Sequence, residues 1–192
     1  MRWLVAAVGA DGVDGQVVAW DDATVSWSRF DAALLRSTWD YSQRLAEFLR
    51  WCERVDRVTT LLNPLPVVRW NTDKRYMAQL ESIGIAIVPT DFGVPGDDAA
   101  KLIAECLATH PAAAEIVIKP TVGAGSRDAK RHRRDAGAAM RQHVQGLFDK
   151  GRGVLLQPYL PSVDSAGETA MMYFNGIYSH AIRKGALLRP DE

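Results

Sequence analysis

A chain that runs three β-branched residues into a lysine, a proline and two glycines has few options besides leaving a strand for an open loop. Residues 116–126, IVIKPTVGAGS, are such a run. Ile116, Val117 and Ile118 favour extended backbone, Lys119 closes the strand, and Pro120, lacking an N–H, is expected to stop the ladder. Gly123 and Gly125 then free the backbone on either side of Ala124, and Ser126 adds a hydroxyl. Bare N–H groups, a hydroxyl and an ammonium are what a polyphosphate needs. The run is not a Walker loop, because no Gly-Lys-Ser/Thr follows. A tight turn between strand and loop would use the same glycines.

The 192 residues suffice for one large domain or two small ones. Lys+Arg and Asp+Glu both number 23, so no global field draws the chain to nucleic acid or membrane. The basic residues concentrate locally at 127–134, which reads as a solvated loop or helix face. Cys52 and Cys106 are far apart and lack any metal-ligand spacing, which fits reduced core cysteines in a cytoplasmic protein. The apolar start, residues 3–8, is too short to span a membrane.

In chain order, residues 16–20, 32–35 and 59–62 read as buried strands, with a helix carrying Leu45, Phe48, Leu49 and Cys52 inward before the third. Residues 1–11 are either a strand or the end of an Ala-rich helix. Asn71 or Thr72 is placed to cap a helix whose stripe is Tyr76, Met77, Leu80 and Ile83, ending at Gly84. A strand at 85–88, a helix at 97–110, a helix at 135–148 and a strand at 154–157 follow. Asn175-Gly176 is the preferred two-residue hairpin turn, and it predicts strands 168–174 and 177–184 with Phe174 opposite Ile177, Met172 opposite Ser179 and Glu168 opposite Arg183. On the other face Tyr173 meets Tyr178 and Met171 meets His180. The predicted class is α/β: an N-terminal doubly wound parallel sheet, a small α/β lid, and the start of an antiparallel sheet.

A helix-borne Lys74, the strand-borne Lys119, the glycine loop, the strand end QPYL at 157–160, the acidic stretch 164–168 and Arg183-Lys184 occur in an order that resembles the ATP-grasp superfamily. More narrowly, RSTWDY at 36–41, Asn63-Pro64, WNTDK at 70–74 and SHA at 179–181 resemble its glutathione synthetase-like branch, which includes cycloserine-forming cyclo-ligases. The resemblance runs from about residue 16 to residue 184.

The resemblance implies an ATP-dependent ligase that phosphorylates a carboxylate and couples it to an amine or thiol. It assigns Lys74 and Lys119 to the ATP phosphates, and Gly123, Ala124, Gly125 and Ser126 to a loop over the β- and γ-phosphates. Gln157, Tyr159 and Leu160 would meet adenine at a strand end with free backbone, Asp164 the ribose, and Arg183 and Lys184 the transferred phosphoryl group or substrate carboxylate. Arg36, Ser37 and Asp40 are candidates for an amino-acid-like substrate, while Trp39 and Tyr41 read equally as core aromatics. The implied domains are 1–64 on the substrate side, 65–152 with the lid, and 153–192 as an incomplete second sub-domain. The family's Mg²⁺ ligands are expected beyond Glu192, and both ends of the implied enzyme look missing, so a non-catalytic nucleotide-binding remnant acting through a partner chain is the competing reading. A hairpin apolar on both faces also predicts self-association as a homo-oligomer.

Overall fold

The computed structural model describes residues 2–188. The chain divides between Asn71 and Thr72 into two compact units, each with its own core.

The first unit contains α1 (Arg2–Ala10), β1 (Ala32–Leu34), α2 (Leu45–Asp56), β2 (Thr60–Leu62) and α3 (Leu65–Asn71). β1 and β2 pair in parallel, with Ala33 opposite Leu61, and α2 is the crossover between them. A parallel pair needs such a crossover, and α2 supplies it because Phe48, Trp51, Cys52 and Val55 fall on one face at helical spacing. All four are buried, together with Trp20, Ala33, Leu61 and Val68. The Trp20 ring meets Phe48 edge-on at 5.4 Å, and Phe48 stacks on Trp51 at 5.7 Å. Residues 1–11 resolve as helix over Arg2–Ala10, with no residue of that helix buried.

The expected strand at 16–20 does not form. Val17 is exposed, and the run is anchored by one side chain instead: Trp20 sinks into the aromatic cluster and its Nε1–H donates to Asp40 Oδ1 at 3.0 Å. Among the described residues the parallel sheet therefore has two strands rather than three. Trp39 is exposed and is not a core aromatic, whereas Tyr41 packs against the cluster.

The second unit contains α4 (Tyr76–Ser82), β3 (Asp91–Gly93), α5 (Ala99–Thr109), β4 (Glu115–Pro120), β5 (Lys130–Arg133), α6 (Gly137–Phe148), β6 (Val154–Pro158), α7 (Ser162–Ala166), β7 (Glu168–Phe174) and β8 (Ile177–Lys184). β3, β6, β4 and β5 lie side by side in that order, and every neighbouring pair is antiparallel. One face of the sheet presents Ile116, Ile118, Val154 and Leu156 to α5 and α6, which bury Ile103, Cys106, Met140, Val144 and Leu147 against it. Strand alternation sends Val117, Lys119 and Gln157 to the other face. Asp98 caps α5, its Oδ1 accepting from the N–H groups of Ala100 and Lys101.

Several expectations for this unit are corrected. Asn71 and Thr72 cap no helix: Asn71 ends α3, and Asp73 accepts from the Arg75 N–H before α4 begins at Tyr76. No residue of α4 is buried and Ile83 is exposed, so the apolar stripe covers no core. Gly84 does end the helix, at φ +83, with the Ile85 N–H reaching back to Leu80 O. Residues 85–88 form no strand, because Ile85 is exposed and the ladder to β6 begins only at Asp91.

Pro120 does not stop its ladder. It pairs with Val154, and its nitrogen faces the β5 side, where pairing has already ended at Ile118–Lys130. The basic run holds β5 rather than a solvated loop, with Arg131 and His132 buried. In the hairpin the turn and the first two pairs are as expected, but Ser179 bulges between the Tyr173–Tyr178 and Met172–His180 pairs. Beyond the bulge Met171 meets Ala181, and Glu168 meets Lys184 rather than Arg183.

Because Phe48 is 2% exposed and touches Trp20, Tyr41 and Trp51, Phe48→Ala is expected to destabilise the first unit by about 3–5 kcal/mol. Urea unfolding followed by tryptophan fluorescence checks this, with a lower midpoint as the expected outcome.

Candidate functional site

The polar face of the four-stranded sheet opens into a cavity of about 520 Å³. Lys119 and Val117 reach it from β4 and Gln157 from β6, all by strand alternation. Gly123, Ala124, Gly125 and Ser126 line it from the loop after β4, Tyr159 and Leu160 from the chain after β6, and Glu168 and Lys184 from the paired ends of β7 and β8. Lys74 enters from the turn before α4, where its N–H bonds Thr121 O at 2.9 Å. Among the described residues the lining therefore carries four cations, Lys74, Lys119, Arg127 and Lys184, against the single carboxylate of Glu168.

Two of those cations are half-buried. Burial, reinforced by the Lys119 charge, pulls the Lys74 ammonium down to about 8. Burial also lowers Lys119, with Glu168 opposing. Lys74 Nζ donates to Gly123 O at 2.9 Å, so the lysine and the glycine loop are already in contact. A Cβ on Gly123 would stand 3.1 Å from the Pro120 ring and 3.8 Å from that Nζ, so a side chain there would crowd the pair. Gly125 and Ser126 both adopt positive φ, of 62° and 57°.

The loop has more tethers than its composition suggests. Arg152 donates to Val122 O at 2.9 Å and pairs with Asp128. His143 Nε2–H donates to Asp128 O at 3.2 Å; its Nδ1 then accepts from His132 Nε2–H at 3.0 Å. Both ends of the loop are thus held, and the segment 124–127 between them lines the cavity. β5 starts at Lys130, so the loop ends before it.

Tyr159 and Asp164 are engaged with each other and with Arg131. The Tyr159 hydroxyl donates to Asp164, Arg131 pairs with both Asp164 and Glu115, and the Arg131 guanidinium lies 3.6 Å from the Tyr159 ring centre. The hydrogen bonds from Tyr159 and Arg131 hold the Asp164 carboxyl below its usual range. Asp164 does not line the cavity. The backbone of the strand end is not free: Tyr159 N–H donates to Glu115 O at 2.9 Å. Arg183 is on the opposite face of the hairpin from Lys184 and does not line the cavity either.

Arg36, Ser37 and Asp40 come together elsewhere, in the first unit, around a cavity of about 720 Å³ walled by Trp20, Trp27 and Trp51. The buried Trp51 Nε1 meets no acceptor among the described residues. Asp40 is partly occupied, by the Trp20 indole and by Arg44 at 3.4 Å. Arg131, Arg152 and the His132–His143 pair went unread in the sequence. Their partners are 11 to 33 residues distant, and no local pattern announces such contacts.

A glycine loop and two lysines meet over the polar face of an antiparallel sheet, and the chain has the ATP-grasp fold. Within that class, residues 1–63 match the family model of the D-cycloserine synthetase DcsG N-terminal domain. Over 188 residues the chain is 47% identical to the cycloserine biosynthesis protein DcsG of Streptomyces lavendulae, covering 98% of this chain and 63% of that one. A crystal structure of D-cycloserine synthetase DcsG matches at TM-score 0.95 and 46% identity, over 100% of this chain and 64% of that chain. The RimK domain ATP-grasp protein of Sphaerobacter thermophilus matches at TM-score 0.62 and 21% identity, over 83% and 59%, which shows the fold alone. The chain thus spans a little under two thirds of the DcsG relatives' length. No helix among the described residues is long and apolar enough to cross a membrane.

Burial, with His132 adding to it, pulls the His143 imidazole down from 6.5 to about 4. The unfolded chain therefore takes up this proton before the folded one does. His143 contributes its full stability above pH 6.5 and loses it as pH falls toward about 4. With allowance for solvent screening the loss is on the order of 1–2 kcal/mol. Urea midpoints at neutral and acid pH are expected to differ by less in His143→Gln than in the parent chain.

Proposed function

We propose that the cleft of the second unit binds ATP, and that the chain carries the nucleotide-binding part of a ligase that couples a carboxylate to an amine. The observation supporting this most strongly is the cluster of four cations around one carboxylate, with two of the cations half-buried beside a glycine loop. Half-buried ammonium groups whose basicity burial depresses are stabilised by a polyanion, and a triphosphate matches the charge and the N–H donors. Lys74 and Lys119 meet the phosphates, residues 123–126 cover them, and Gln157, Tyr159 and Leu160 line the adenine end. Asp164 would reach the ribose only by releasing part of its contact with Tyr159 and Arg131. Lys184, rather than Arg183, is the hairpin cation that faces the reacting end.

In this reading a substrate carboxylate oxygen attacks the γ-phosphorus and ADP leaves. An amine then attacks the acyl carbon and phosphate departs. Lys119 and Lys184 offset charge that develops on the transferred group. The amino-acid-like substrate is assigned to Arg36, Ser37 and Asp40 of the first unit. The Mg²⁺ that the sequence resemblance implies has no fitting donor set in the cleft among the described residues, where Glu168 is the only carboxylate. The second reading is a chain that binds nucleotide without catalysing transfer.

Titration calorimetry with a non-hydrolysable ATP analogue tests the proposal. Lys119→Met is expected to weaken binding by about 1.5–3 kcal/mol, whereas Lys101→Met, on an exposed α5 position, leaves it unchanged. Equal losses, or no binding by the parent chain, would remove the assignment. Analogue binding without ADP formation from ATP would select the second reading.

Because Lys74 titrates at about 8 in the free chain, affinity should be level below that pH and fall above it, with proton uptake on binding. Lys74→Met should remove this pH dependence.

A further inference from the structure

Away from the cleft, on the helix-covered side of the sheet, Asp91, Cys106 and His110 place a carboxylate oxygen, a thiol sulfur and an imidazole nitrogen within 4.8 Å of one another. We propose that these three side chains form a site for a divalent transition metal of zinc type. Cys106 lies in the last turn of α5 and His110 is its C-cap, one turn on, with its N–H bonded to Cys106 O. Asp91 opens β3, and its pairing with Leu156 sends its side chain to the same side of the sheet as that helix. Two elements distant in sequence thus converge on one point.

The donors are of mixed kind, and that mixture is informative. Thiolate, imidazole and carboxylate are the ligand types of Zn²⁺, and three protein ligands plus one open position is a common arrangement. A tetrahedral ion with bonds of about 2.0–2.3 Å needs its ligand atoms roughly 3.3–3.6 Å apart. His110 Nε2 and Asp91 Oδ2 are already 3.7 Å apart, so small side-chain rotations bring the set to that spacing. Asp91 Oδ2 is buried and makes no full hydrogen bond among the described residues, its neighbours being the Cys106 thiol and the His110 ring.

The surroundings set the terms of binding. Cys106 is fully buried, while the His110 and Asp91 side chains are 16% and 31% exposed and give an ion its route from solvent. Burial, with Asp91 next, pushes the Cys106 thiol up to about 12. Metal loading must therefore expel that proton: the S–H bond breaks, the sulfur pair forms the bond to the ion, and the proton passes to solvent past Asp91. Arg134, which caps α5 through Leu107 O and His110 O, opposes part of this rise. In the metal-free chain the same groups form a thiol–carboxylate–imidazole cluster within the fold.

The test is titration of the folded 192-residue chain with Co²⁺ and with Zn²⁺. One equivalent of Co²⁺ should give a thiolate-to-metal charge-transfer band, Zn²⁺ should bleach it, and each ion should release a proton. Cys106→Ser should abolish the band, while Cys52→Ser, in the other unit, should keep it. Since Cys106 is a core residue, His110→Gln serves as the second variant; with its fold checked by circular dichroism, it should weaken Zn²⁺ binding on the order of 100-fold. No band in the folded parent chain, a band that survives Cys106→Ser, or unchanged affinity in His110→Gln would each overturn the proposal.

Discussion

The second unit depends on the two-residue period of β4. Ile116 and Ile118 point to the helices and are essentially fully buried, so the intervening Val117 and Lys119 must point the other way. That one constraint puts an ammonium group at the floor of the cleft and fixes it there. Moving β4 by one residue would drive Lys119 into the apolar layer formed by α5 and α6. Core packing and the position of the cation are consequently the same fact seen from the two faces of one sheet. Each fully buried aliphatic side chain, worth about 1.5–3 kcal/mol, also helps hold the lysine in register.

The exposed hairpin strands were legible from their Asn175-Gly176 turn, and the central strands from a composition that demanded burial. Residues 116–118 and 154–156 are unbroken apolar runs, and both became central strands. The runs at 16–20 and 85–88 have similar composition but found no ladder partner, and their side chains are largely exposed or anchored singly. β5, KRHR, has no apolar residue at all; it is a strand because Arg131 is neutralised by Glu115 and Asp164 on one face and His132 meets His143 on the other. No local rule anticipates a strand sustained by partners so far along the chain.

The same division holds in the cleft. Lys74, Lys119, the glycines, Gln157, Tyr159, Leu160 and Lys184 were legible as a set, and the structure brings them to one cavity. Arg36, Ser37 and Asp40 line another, in the first unit. What sequence could not supply was the supporting layer. Arg152 and His143 hold the loop by its carbonyls at Val122 and Asp128, and a main-chain carbonyl leaves no mark in a sequence. Arg131 lying over Tyr159 was likewise invisible, since it needs both the unrecognised strand and the turn after β6.

The bulge at Ser179 acts as a selector between two kinds of charge. In an unbroken ladder Glu168 would meet Arg183, and the cation turned to the cavity would be a planar, delocalised guanidinium with a fork of donors. One extra residue in β8 presents Lys184 instead, a compact ammonium on a flexible stem. The two differ in reach and in the shape of anion they fit, although the neighbouring sequence is the same. Chemistry at that corner of the cleft is thus set by a backbone irregularity several residues away. Loss or gain of a single residue near the turn would exchange one cation for the other without any substitution in the site itself.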